Sequence, residues 1–132
     1  MIQDTAYGIR TEVALPYEEA VAKVTAALKE QGFGVLTTID VKETLKQKLD
    51  AEFRRYVILG ACNPTLAHKA FTAELEIGLL LPCNVAVYET APGTSAVAAM
   101  APIAALALVG NPTLDEVAKE ADARLRKALG AL

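Results

Sequence analysis

Tyr7, Ile9, Thr11, Val13 and Leu15 alternate with Gly8, Arg10, Glu12 and Ala14, the period-two pattern of a strand with one buried face. The period then lengthens. Pro16 suits the start of a helix, Glu18 and Glu19 put acids in its first turn, and Gly32 marks a stop, which predicts a helix over Tyr17–Gln31. Within it Tyr17, Ala20, Val21, Val24, Ala27 and Leu28 recur at three-and-four spacing as one buried stripe, leaving Lys23, Lys29 and Glu30 in water.

Alternation resumes at Phe33, Val35, Thr37 and Ile39, and Asp40 with Glu43 reads as a capping box opening a helix through Leu49. Tyr56–Cys62 is a nearly unbroken run of strand-forming and small residues, predicting an interior strand covered on both faces or nearly so. Asn63 then caps and Pro64 starts a helix reaching to about Leu75. Gly78 is expected to allow a tight turn that buries Leu79-Leu80-Leu81, and Pro82, in either peptide isomer, to set the entry of the next strand. Val85–Thr90 and Ser95–Ala101 flank the turn residues Ala91-Pro92-Gly93-Thr94 as a hairpin. After Pro102 a short apolar helix ends at Gly110-Asn111-Pro112. Thr113 with Glu116 reads as a second capping box, opening a last helix whose Leu114, Val117, Ala118, Ala121, Leu125 and Leu129 line one side.

This order of elements predicts the α+β class, a two-layer sandwich in which helices pack on one face of an antiparallel sheet. At 132 residues the chain, 1–132, is expected to be a single domain. Hydrophobic residues make up 53% and charged residues 22%, enough apolar surface to exclude a disordered chain. The net charge is −3, and 13 basic residues are scattered among 16 acids, so nucleic acid is not an expected partner. The most apolar stretch, Ala96–Val109, is broken by Pro102 and falls short of the ~18 residues a membrane span needs. The first residues lack a basic start followed by an apolar segment, so the expected location is the cytoplasm.

Chemistry-bearing residues are few, and the most unusual are two Cys-Asn dipeptides, Cys62-Asn63 and Cys83-Asn84. If the strands they bound are antiparallel neighbours, the dipeptides meet at one edge of the sheet. A thiol site would use a cysteine at the amino end of a helix, with His68, the one histidine, supplying a proton or a metal ligand. The plainer reading has the cysteines as small buried hydrophobes, Asn63-Pro64 as a helix start, and His68 beside Lys69 in solvent. Two cysteines and one histidine leave a tetrahedral site one ligand short, so no metal is expected, and no residue pattern names a cofactor.

Tyr56–Val57–Ile58–Leu59–Gly60–Ala61–Cys62–Asn63–Pro64, with Ile77–Gly78–Leu79–Leu80–Leu81–Pro82–Cys83–Asn84–Val85, resembles the signature of the uncharacterised DUF302 family. The resemblance extends to Gly32–Phe33–Gly34–Val35–Leu36 and Ile39–Asp40–Val41–Lys42, and departs from the family pattern at Leu75, where a proline is usual shortly before the second block. It implies a fold like that of the TATA-box-binding protein, a curved antiparallel sheet of five strands embraced by helices in a β-α-β-β-β-β-α core. No activity is implied. Carried over residue by residue, it marks Cys62, Asn63, Pro64, Gly78, Pro82, Cys83 and Asn84 as the candidate site, to which the helix adds His68. Three functions compete: a module that binds a small apolar ligand near the Cys-Asn edge, a thiol-dependent or redox enzyme using Cys62 or Cys83, and a homodimer or other self-association through Ala96–Val109 or a sheet edge.

Overall fold

In chain order the strands are β1 (Gln3–Asp4), β2 (Gly8–Val13), β3 (Gly34–Asp40), β4 (Tyr56–Cys62), β5 (Cys83–Ala91) and β6 (Thr94–Met100). The helices are α1 (Tyr17–Glu30), α2 (Val41–Leu49), α3 (Pro64–Ala73), α4 (Pro102–Ala107) and α5 (Asp115–Gly130), with 3₁₀ turns at Leu75–Leu79 and Pro112–Leu114. The structure is a computed structural model and describes every residue from Met1 to Leu132. All strands pair antiparallel in one sheet of order β1-β2-β6-β5-β4-β3.

The class is the α+β expected, with six strands rather than five. The additional strand, β1, is two residues long and pairs Gln3 with Arg10 and Asp4 with Ile9. It is tied down from far along the chain, because Arg126 on α5 reaches Asp4 at 2.7 Å and the buried Asp122 at 2.6 Å. No local pattern could signal a bond between residues this far apart in sequence.

One face of the sheet carries the core. Ile9, Val57, Leu59, Val85, Val87 and Val97 are all under 5% exposed there, and Val24 and Leu28 of α1 and Leu125 and Leu129 of α5 belong to the same cluster. Helix α1 ends as its sequence anticipates: Gly32 adopts φ +84°, Phe33 N–H donates to Leu28 O and Gly32 N–H to Lys29 O. That is a Schellman stop, which only a residue tolerant of positive φ makes at low cost.

Five local expectations are corrected. Strand β4 is interior, between β3 and β5, but its Val57-Leu59-Ala61 side is fully buried while on the other side, Gly60 apart, Tyr56, Ile58 and Cys62 are half-buried. On β3 the alternation slips at Leu36: Val35 opposes Ala61 and Thr37 opposes Gly60, so Leu36 is a bulge and Thr37 and Ile39 fall on the other face from Val35. Helix α3 stops at Ala73, and in the following 3₁₀ turn Ile77 is buried while Leu79 is 85% exposed. A turn of three residues puts Ile77 and Leu80 on one side and aims Leu79 away, so the leucine triplet is not buried as a unit and Gly78 needs no positive φ. Asp40 does accept from Glu43 N–H, but the Glu43 carboxylate bonds Gln47 instead of completing the box. Asn111, not Thr113, caps the approach to α5, its Oδ1 accepting from Thr113 N–H ahead of the 3₁₀ turn. No helix is long and apolar enough to cross a membrane.

Candidate functional site

At one end of the sheet β4 and β6 finish while β3 and β5 begin, and the register there sets Ala61 opposite Cys83, Gly60 opposite Asn84 and Gly34 opposite Cys62. The two Cys-Asn dipeptides therefore lie beside one another on neighbouring strands. By register the two cysteine side chains alternate across the pleat, although at this strand end both residues line one cavity. Cys83 continues the buried Val85-Val87 side and is 8% exposed, whereas Cys62, one position beyond Ala61, belongs to the half-buried side. Both cysteines are free. Burial, with a smaller contribution from nearby Cys62, pushes the Cys83 thiol up to about 11, so it stays protonated at neutral pH.

Between this sheet end and the helices lies a cavity of about 260 Å³, and 14 of its 18 lining residues are hydrophobic. The sheet end contributes Ala61, Cys62, Cys83 and Met100; α3 contributes Leu66, Ala67, Ala70 and Phe71. Gly78, Leu81 and Pro82 come from the connection into β5, whose Leu81–Pro82 bond is cis. The far wall is Pro102 and Leu106 of α4 with Val117 and Ala121 of α5. The β3 bulge places Leu36 at the lining as well, next to Phe33.

A second, polar basin of about 610 Å³ shares Asn63, Leu66 and Val117 with the cavity, so the two adjoin at the start of α3. Pro64, Thr65, Lys69, Lys119 and Arg124 line it, with Glu116 and Glu120. Asn63 stands at the junction, 7% exposed, its Oδ1 accepting from Leu66 N–H as the helix cap at 3.2 Å.

Of the candidates read from the sequence, Cys62, Asn63, Gly78, Pro82 and Cys83 surround the cavity and Pro64 lines only the basin. His68 and Asn84 line neither and are exposed. Sequence reasoning missed Phe71, Met100, Leu106 and Ala121, because an apolar residue facing a void has the same helical or strand spacing as one facing a neighbour. No group of three or more His, Cys, Asp or Glu side chains is placed to hold a metal ion.

A family model described as "Domain of unknown function DUF302" matches residues 9–132. Among solved structures, the chain is similar to a crystal structure of an uncharacterized conserved DUF302 protein from Bacillus stearothermophilus, at 30% identity and a TM-score of 0.86, over 96% of this chain and 98% of that one. No curated protein matches.

Proposed function

The chain belongs to the DUF302 family, and since membership brings no activity with it, we propose from the site alone that this protein is a binding module for a small, largely apolar molecule. The observation that carries the reading is the cavity of about 260 Å³ walled mainly by hydrocarbon at the Cys-Asn edge. Natural interiors pack to near-crystalline density, and an apolar void of roughly 150 Å³ already takes up benzene. A larger void, set beside polar groups that can fix an occupant's orientation, has the composition of a ligand site.

The alternative of a thiol-dependent enzyme is weaker, because burial keeps Cys83 in its unreactive form and His68 lies off the cavity. Cys62 would then have to act without an assigned partner base. A cavity with one helix-capping asparagine and two thiols is poor in groups for acid–base work and rich in surface for hydrophobic capture.

The test is a fluorescence titration with the neutral dye N-phenyl-1-naphthylamine, for the wild type and for Ala121→Leu, which fills space from the α5 wall. Saturable binding of one dye per chain, weakened at least about tenfold by the filled cavity, is the expected result. Absence of saturable binding, or equal binding by both proteins, would remove the proposal. Thermal melts of Ala121→Leu check that its fold persists.

A further inference from the structure

Resting on the reading of the cavity as a ligand site, we infer that the occupant is an amphiphile with an acidic head, its hydrocarbon in the cavity and its carboxylate or phosphate in the adjoining basin at the start of α3. Four observations converge on that basin.

The first is the unspent donor of Asn63. Its Oδ1 is committed to Leu66 N–H, which fixes the orientation of the amide, and its Nδ2 donates to no protein atom although the residue is 7% exposed. That nitrogen is not shut off from solvent, so it stays free to donate to an occupant, and Asn63 lines the cavity and the basin alike. The second is Gly32. A Cβ built there would sit 2.9 Å from Asn63 Nδ2 and 3.2 Å from Arg124 Nη1, so two donors from different elements close on one point of the basin wall.

The third is the ten-residue α3 itself, whose amino end opens into the basin through Pro64 and Thr65. Pro64 has no N–H, Leu66 N–H is taken by the Asn63 side chain and Ala67 N–H by Asn63 O, so Thr65 N–H is the free backbone donor there, in the partial positive charge of a helix start that suits an anion. The fourth is the local charge. Glu120 is held by Arg124 Nε at 2.7 Å, and Glu116 has Lys119 at 3.9 Å, which leaves Lys69 as the cation with no carboxylate in ion-pair range. Arg124 is further fixed by donating from Nη1 to Gln31 O at 3.3 Å, so it is preorganised rather than searching. A neutral oxygen head could accept from Asn63 Nδ2 but would leave the Lys69 charge without a counter-charge, and a cationic head would meet like charge; an acidic head accepts from Asn63 and pairs with Lys69.

The experiment displaces N-phenyl-1-naphthylamine with four probes of one chain length: octanoate, octyl phosphate, 1-octanol and octyltrimethylammonium. Wild type, Lys69→Gln and Asn63→Asp are compared. Asn63→Asp keeps the cap acceptor, and aspartate caps as well as asparagine, so α3 survives while the donor is replaced by a negative charge. Octanoate or octyl phosphate is expected to bind at least about tenfold tighter than 1-octanol, and each variant to lose about fivefold or more of that preference, Lys69→Gln with 1-octanol unchanged because Lys69 lines only the basin. The better acid of the two identifies the head. Equal affinity for octanoate, octyl phosphate and 1-octanol, or preference for the ammonium, overturns the acidic head and leaves the apolar site standing. Failure of every probe, 1-octanol and the dye included, overturns the binding site as well.

Discussion

Placing a single methyl at Gly60 tests the bulge that shapes the cavity. Gly60 lies in β4 without a positive φ, so alanine meets no backbone obstacle there. The added Cβ would overlap Thr37 Oγ1, lie 3.4 Å from Thr37 Cβ and come within 2.9 Å of Pro82 Cγ. Overpacking of this kind costs about 1–3 kcal/mol, offset by about 0.4–1 kcal/mol from the reduced freedom of the unfolded chain. Gly60→Ala is therefore expected to lose about 1–2 kcal/mol, read as a lowered urea midpoint at unchanged slope. Thr37→Ala alone, on an exposed edge position, should stay within about 0.5 kcal/mol. Together they should recover about 1 kcal/mol, since the hydroxyl in the way is gone, with the Pro82 contact left as the residual loss. The rescue depends on register. Without the bulge Leu36 would oppose Gly60, and Leu36→Ala, not Thr37→Ala, would relieve the variant. Rescue by Leu36→Ala alone, or a Gly60→Ala protein as stable as wild type, would refute the reasoning.

Cys83 predicts a loss of stability in alkali. Its thiol is raised from 9.0 to about 11 in the fold, so the unfolded chain releases its proton first; the contribution is intact below pH ~9 and is lost as pH rises toward ~11. That loss is on the order of 2–3 kcal/mol in wild type and should be absent from Cys83→Ala when urea unfolding is compared between pH 8 and pH 11; equal pH slopes would refute it. In the native protein at pH 8, a disulfide reagent should label Cys62, half-buried, and reach Cys83 only on denaturation; two fast thiols in mass-mapped peptides would contradict the burial. Asp122→Ala removes the buried partner of Arg126, itself 40% exposed in its side chain, and should cost about 1–2 kcal/mol in thermal melts. Asp4→Ala at the other end of the same arginine, 63% exposed, should cost under about 1 kcal/mol; a larger effect there than at Asp122 would reverse the assignment.

Element identity was legible in the chain wherever spacing alone decides it. The stripes of α1 and α5, the Gly32 stop, the Asn63-Pro64 start of α3 and the hairpin about Gly93 are local rules, and each is set by residues within one or two turns of each other. Adjacency of the dipeptides was also legible, given antiparallel neighbours, because register then follows from the strand ends.

What the sequence could not decide was depth and vacancy. Leu36 and Leu79 carry the same side chain as Leu28, yet they are 68% and 85% exposed because a bulge and a 3₁₀ turn rotate them outward. Alternation of Cys62 and Cys83 across the pleat follows once Ala61 is paired with Cys83. The cavity itself is a shortfall in volume among α3, α4, α5 and the sheet end, a sum over segments distant in the chain, and such a sum has no local code. Hydrophobic order along the chain selects the elements; how closely their side chains fill the space between them is settled only when the layers meet.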